Sequence, residues 1–479
     1  MAYNDLREYI SQLERARELK RIKAEVDWNF EIGAIMRRAN DLREPALLFG
    51  KIKDYSSDYQ VLANGLGVTK SNTYGRLCLA LELPTETPPL EIIEELIRRF
   101  RKPLKPVIVK KGPCKENIIK GEDIDLLKFP VPFFRELDGG RYIGTWHTDI
   151  NRDPDSGWVN WGMYRHMVQD RQSIGWLAIP GQHGARIYYQ KYEARAKTMP
   201  IAIAIGTEPA CALVSLAMAS AETDEAGIAG AIRGKPVELI KCETNDRAVP
   251  ATAEIILEGE VQPNERKEEG PFGEYTGYSI GGRLSQPVIH IKCITHRNKP
   301  ILTVSTPGKP FDDTTYIISL LNSAILTMQL RELGLPFKSL FFTPSMMAVI
   351  VSTSEIYSGY VHTLSSAIWG TKSGQYKSTI IIVGEDIDVT NMEEVVWAMT
   401  TRMHPVRDIH IKKRAPFFPL FPFLSPEERS DLKGSAVCFD ATFPFEWKER
   451  TPRVVDFRHA WSEDTQKLVI ARWKEYGFK

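Results

Sequence analysis

Four short stretches carry side chains whose types and spacing could do chemistry. Residues 158–165, WVNWGMYR, set Asn160, Gly162 and Arg165 in a run otherwise built of Trp, Val, Met and Tyr. Two-residue alternation predicts a strand with Asn160, Gly162 and Tyr164 on one face and Arg165 on the other face or at its end. Residues 179–184, IPGQHG, place Gln182 and His183 in a Gly/Pro-bounded turn after an apolar strand. ERKEEGPFGEY, 265–275, holds Glu269 and Glu274 on either side of a Gly-Pro-Phe-Gly turn, and ETDEAGIAGAIRG, 222–234, places Glu225 ahead of a short helix. Paired carboxylates in unlike environments let one stay protonated while the other is ionised, and an arginine nearby holds the anion. Such a set could deliver a proton to a defined atom. Taken singly, each stretch also reads structurally: a satisfied amide and guanidinium in an aromatic strand, a turn histidine, a charged surface loop, and a helix N-terminal acid complementing the macrodipole.

Stepping outward, residues 4–22 have helical spacing, as do 90–101 after the proline-rich TPPLE. PALLFGKI and YQVLANGLGV between them look like short strands, so 1–115 reads as an N-terminal α/β unit. From 116 to 310 the texture changes to many short apolar strands separated by turn signals, which argues for a barrel or sandwich with little helix beyond Glu225's segment. DDTTYIISLLNSAILTMQLRELGLP then reads as a long helix within 311–336. Residues 337–479 return to α/β, with MMAVIVST and STIIIVGEDID as buried strands and EEVVWAMTTRM as a helix. The apolar, proline-broken FFPLFPFLSP suits a subunit interface, a pocket lid or plain core.

Composition narrows the function classes. With 62 Lys plus Arg against 61 Asp plus Glu, no global field draws the 479-residue chain to nucleic acid or an anionic membrane. The N-terminus lacks the apolar core of a signal peptide and no run is long enough to span a bilayer, so the expected location is the cytoplasm. Six scattered cysteines with no CxxC suggest reduced, mostly buried thiols. Any metal would then rest on hard oxygen ligands with one imidazole.

In order and spacing, DGGRYIGTWHTDINRDPDSGWVNWGMYR, IPGQHG, ETDEAGIAGAIRGKPVEL, EEGPFGEYTGY and VVWAMTTRMHPVRD resemble the UbiD family of decarboxylases that use prenylated flavin mononucleotide (prenylated FMN). The resemblance runs through most of the chain. It implies a mixed α+β fold, with a central split β-barrel that binds the flavin and a long linker helix to a C-terminal α/β domain providing oligomer contacts, as a homodimer or a hexamer. It implies that Asn160, His183 and Glu225 hold Mn²⁺ or Mg²⁺ at the cofactor phosphate, and that Trp158, Ser215 and Glu225 lie where the family binds K⁺. Gly162, Met163, Tyr164, Arg165 and Gln182 would line the cofactor, glycine permitting close approach. Arg165, Glu269 and Glu274 match the family's catalytic network: Arg165 orients the substrate carboxylate and pairs with Glu269, and Glu274 donates the proton.

The implied activity is reversible, non-oxidative decarboxylation of an aromatic, heteroaromatic or α,β-unsaturated acid, with a flavin prenyltransferase supplying the cofactor. The alternatives are a carboxylase or carboxylase subunit, or a redox flavoprotein using plain FMN. The resemblance leaves the family's phosphate-contacting lysine unassigned. For the substrate pocket, Met399, Thr401, Met403 and His404 are the C-terminal candidates, although WAMTTRM also reads as an ordinary amphipathic helix.

Overall fold

The computed structural model describes residues 3–280, 282–310, 312–344, 347–354 and 356–478. Phe311, where the linker reading begins, and Met346, at the start of an expected strand, lie outside them. The fold is mixed α+β, as expected, with its strands in four sheets.

The N-terminal sheet has strand order Leu19–Ile22, Ala46–Phe49, Gln60–Ala63 and Ile301–Val304. Its last strand enters from far along the chain and pairs in parallel with Gln60–Ala63, which stitches this sheet to the segment that follows the central sheet. The first helix is Leu6–Arg15, capped by the Asp5 side chain accepting from Glu8 N. The helical spacing read over 4–22 therefore overshoots: Leu19–Ile22 is a strand paired with Ala46–Phe49. Edge pairing claims these residues once the Arg15 turn closes the helix, whereas local periodicity alone cannot report a partner far along the chain. The second expected helix is present as Pro89–Phe100.

The central sheet has nine strands and curls into a half-barrel. Its order is Tyr142–Gly144, His166–Val168, Ser173–Trp176, Leu284–His296, Ile255–Glu269, Met199–Ile205, His147–Arg152 and Val159–Gly162, with Asn117–Lys120 pairing Leu284–His296. Alternating side chains of Met199–Ile205 are divided between two cores: Ile201, Ile203 and Ile205 join one, Ala202 and Ala204 the other. A strand covered on both faces is what the near-continuous apolar run PIAIAI encodes. This region holds more helix than the sequence suggests, since His183–Ile187 and Pro209–Ser215 stand beside Glu225–Arg233. Both are too short to show a 3.6-residue period.

Asp313–Glu332 is the expected long helix, its Asp312 cap accepting from Thr314 N and Thr315 N. It is buried along most of its length, which is why its apolar residues do not fall on one stripe. It leads into a five-stranded sheet ordered Ser339–Phe342, Ala348–Ser352, Thr379–Val383, Lys433–Ala441 and Ile409–Pro416. Phe417, Phe418, Leu420, Phe421 and Leu424 of the FFPLFPFLSP stretch are buried in the C-terminal core. The chain ends in an arm whose helix Glu463–Ala471 buries no residue, with Trp461, Leu468, Ile470, Trp473 and Phe478 exposed. The described cysteines are unpaired, five of them buried, and no described helix is long and apolar enough to cross a membrane.

Candidate active site

A cavity of about 230 Å³ opens where the half-barrel, the long helix and the C-terminal sheet meet. The half-barrel lines it with Asn160 to Arg165, the turn Gly181–His183, Ser215, Glu225 and Glu274; the long helix adds Thr314 and Ile318; the C-terminal region adds Lys372, Tyr376, Phe418 and Leu420. The proline-broken apolar stretch is thus both core and pocket wall.

Strand Val159–Gly162 pairs antiparallel with His147–Arg152, Asn160 facing Asn151. Asn160 Nδ2 lies 3.2 Å from Asn151 Oδ1 and 3.4 Å from the Tyr164 hydroxyl, so the amide's donor side is engaged and its oxygen is left as the ligand atom. The Tyr164 hydroxyl accepts from Gly184 N at 3.0 Å, tying this segment to the His183 turn. Gly162 has a local reason: a Cβ there would stand 2.4 Å from the Tyr164 hydroxyl. The glycine makes room for this tyrosine to fold back, a different requirement from the cofactor approach expected of it.

His183 opens the short helix His183–Ile187, and its ring meets Trp158 edge-on at 5.2 Å between centroids. Burial, with the charges of Lys372 and Arg186, holds its imidazole down to about 3, so it is a neutral ring at ordinary pH. Glu225 opens the helix Glu225–Arg233, which Asp224 caps by accepting from Gly227 N. Burial pushes the Glu225 carboxyl up to about 8, and its Oε2 is buried with no hydrogen-bond partner. An orphan carboxylate oxygen, an amide oxygen and a neutral imidazole around one cavity are the donor set of a hard divalent ion. The residues present therefore fit a Mn²⁺- or Mg²⁺-bound phosphate. Ser215 Oγ lies 2.8 Å from both Thr148 Oγ1 and the Cys211 carbonyl. Trp158 is half-buried outside the cavity lining and donates its indole N–H to Thr223 O at 2.7 Å.

Also on the cavity wall, Arg165 grips two carboxylates. Its Nε donates to Glu269 Oε1 at 2.9 Å and its Nη2 to Glu269 Oε2 at 2.6 Å, a bidentate pair, while Nη1 contacts Glu274 Oε1. Glu269 is fully buried behind the arginine and is not itself in the cavity lining; Glu274 faces the cavity. The turn between them is shaped by a cis Gly270–Pro271 peptide and by Gly270 at φ +86°. It is gripped from outside: Asp138 Oδ1 accepts from Gly273 N at 3.0 Å and Gly139 N donates to Pro271 O at 2.7 Å. A Cβ on Gly139 would sit 1.9 Å from Gly270 O, so the DGG of the sequence is the clasp of this turn. Tyr142, whose phenol is pushed well up by burial and by Glu269, lies 3.2 Å from Glu269 Oε1.

Sequence reasoning missed Lys372. Its Nζ donates to Gly181 O at 2.6 Å beside the His183 turn, and burial, with Arg186, lowers its ammonium to about 8. The signal was a lysine bracketed by turn residues in GTKSG. Met399, Thr401, Met403 and His404 do not line the cavity. They lie on or just after Met392–Arg402, and Met399 and Met403 pack against a hydrophobic core, which fits the amphipathic-helix reading.

Comparison with known proteins shows the family. Family models for the N-terminal, Rift-related and C-terminal domains of 3-octaprenyl-4-hydroxybenzoate carboxy-lyase match residues 10–99, 105–310 and 315–441. The pyrrole-2-carboxylic acid decarboxylase of Pseudomonas aeruginosa is 34% identical, over 99% of this chain and 98% of its own. Among solved structures, the vanillic acid decarboxylase of Sedimentibacter hydroxybenzoicus in closed form superposes with a TM-score of 0.91 at 33% identity, covering 99% of each chain. The UbiD-class enzyme HmfF of Pelotomaculum thermopropionicum, in complex with FMN, superposes with a TM-score of 0.81 at 32% identity, covering 94% of this chain and 97% of its own. With all three domain models matched in order and decarboxylases among its relatives, this chain belongs to the UbiD family of carboxy-lyases.

Proposed function

We propose that the chain catalyses reversible, non-oxidative decarboxylation of an aromatic or heteroaromatic acid with prenylated FMN. The observation that carries this is Arg165, largely shielded from water, bridging Glu269 and Glu274 beside a cavity that Asn160, His183 and Glu225 also line. When bound, the prenylated flavin supplies the electron sink for the carbon that loses CO₂. The chain supplies position, charge and a proton.

Asn160, His183 and Glu225 hold Mn²⁺ or Mg²⁺ at the phosphate, with Lys372 as a further cation. The groups around Trp158, Ser215 and Glu225 hold K⁺. Gly162, Met163, Tyr164 and Gln182 line the ring system. Arg165 pairs with the substrate carboxylate, and its bidentate hold on Glu269 fixes the guanidinium plane. Apolar surface from Phe272, Ile318, Tyr376, Phe418 and Leu420 excludes water and suits a flat ring. After CO₂ departs, Glu274 delivers its proton to the carbon that carried the carboxyl group and is reprotonated from solvent. In the reverse direction Glu274 accepts that proton.

The protein acts as a homodimer or hexamer, through its C-terminal region, and obtains its cofactor from a flavin prenyltransferase. The test is Glu274→Gln, co-expressed with a flavin prenyltransferase and purified without oxygen. It retains cofactor and metal by mass spectrometry and loses at least ~10²-fold of CO₂ release; a wild-type rate refutes the assignment. Plain FMN or no flavin in folded, metal-loaded wild-type protein refutes the cofactor.

A further inference from the structure

Three buried groups at and behind the cavity wall have no part in this reading. His147 and Asp149 share one face of the strand His147–Arg152, and His166 follows Arg165 at the start of His166–Val168; their exposures are 1%, 0% and 0%. A carboxylate this deep needs a compensating positive charge. Among the described residues, the ion-pair partners of Asp149 are two imidazoles: His166 Nε2 at 2.9 Å from its Oδ1 and His147 Nε2 at 3.6 Å. Among those residues no arginine or lysine is paired with it.

The three groups offer ligand atoms that all lie within 4.8 Å of one another. Donors held about 2.0–2.2 Å from a shared ion stand roughly 3–4 Å apart, so a small adjustment brings all three onto one ion. The second observation is independent of the cluster. Neither ring nitrogen of His147 makes a well-formed hydrogen bond although the ring is buried, its contact with Asp149 being long at 3.6 Å, and a buried polar group in that condition is destabilising. Burial also lowers the pKa of this imidazole, which favours the neutral form that ligates metals. The third is at His166, whose Nδ1 faces Gly175 O at 3.3 Å. A bond donated from Nδ1 to this carbonyl is the outer contact that metal-bound histidines characteristically make, and with an ion present it would leave Nε2, now 2.9 Å from Asp149 Oδ1, as the ligand atom.

We propose that His147, Asp149 and His166 form a second divalent-metal site, separate from Asn160, His183 and Glu225. Two imidazoles and one carboxylate select a borderline ion such as Zn²⁺ or Fe²⁺ over Mg²⁺. Such an ion would neutralise Asp149 and tie the strand His147–Arg152 to the residue after Arg165, stiffening the backbone that carries the guanidinium. His147 also lines the cavity, so such an ion would lie close to the cavity wall.

Co²⁺ is the probe, since its visible absorption reports nitrogen and oxygen ligation directly. Metal-stripped protein carrying Asn160→Ala and His183→Ala is titrated with Co²⁺, with folding checked by circular dichroism. The expected result is one equivalent bound with a d–d band, its affinity falling more than tenfold on adding His147→Gln or, separately, Asp149→Asn. His147 lies on the cavity wall, so its variant keeps the test valid where Asp149→Asn fails to fold. A folded double variant that binds no Co²⁺, or binds it with an affinity indifferent to His147→Gln, overturns the proposal and leaves a hydrogen-bonded His–Asp–His network. The readout involves no turnover, so it stands apart from any failure of the decarboxylase reading. If the first trio holds no ion, wild type also binds one equivalent, and that one remains sensitive to His147→Gln.

Discussion

Replacing Arg165 by lysine tests whether the two carboxylates are organised by charge alone or by the planar fork. Arg165 makes three contacts, two to Glu269 and one to Glu274, all from groups largely shielded from water. A lysine ammonium keeps the charge but is a single centre and cannot meet both oxygens of Glu269 while reaching Glu274. At least one charge-assisted hydrogen bond is lost, and commonly two, at roughly 1.5–3 kcal/mol each. Part of that loss falls on stability, because Glu269 is fully buried and keeps Tyr142 as its remaining hydrogen-bond neighbour. The rest falls on the positions of Glu274 and the substrate carboxylate. With about 1.4 kcal/mol per tenfold, kcat/KM should drop ~10²–10³-fold. The assay is CO₂ release from an aromatic acid by anaerobically purified protein, with flavin and metal quantified in the same sample. Cofactor content should hold, because the phosphate end is untouched. A variant within threefold of wild type at equal cofactor loading would refute the claim that the fork geometry matters.

Three further outcomes are expected. Lys372→Ala should weaken FMN binding at least tenfold by fluorescence titration while leaving the fold intact, since it removes the cation that faces the His183 turn. Lys377→Met should raise Tm: burial lowers this lysine to about 7, so the folded state holds it neutral while the unfolded chain, near 10.5, is charged. The resulting penalty grows as pH falls from 10.5 to 7 and is constant below, so the variant's advantage should be larger at pH 7 than at pH 10, on the order of a few kcal/mol at most; an equal gain at both pH values would contradict the assignment. Deleting residues 452–479 should lower the mass of the assembly in light scattering by more than the deleted residues themselves account for, without unfolding the protomer, because the arm's apolar side chains are exposed among the described residues.

Much of the site was legible in the sequence because its parts are local. WVNWGMYR, IPGQHG and EEGPFGEY each hold their chemistry within a strand end or a turn, so residue type and spacing carry the information. What was missed depends on pairing between distant segments. His147 and Asp149 are two apart on one strand face, but His166 joins them only because its strand pairs with Tyr142–Gly144, just ahead of His147. Lys372 reaches Gly181 across 191 residues. Met399 and Met403 misled for the opposite reason: their helix has the composition of a pocket wall, and only packing shows which way it faces. Leu19–Ile22 was read as helix because a strand's partner is not written in its own period.

The meeting of three segments at one cavity divides labour in a way that bears on how such a chain diversifies. On the proposed reading, proton delivery and carboxylate recognition sit on the half-barrel, whereas Tyr376, Phe418 and Leu420, which line the same cavity, come from the C-terminal region. A substitution among those three changes the contour offered to a substrate without displacing Arg165, Glu269 or Glu274. Selection can therefore retune the range of acids accepted while the reaction itself stays constant.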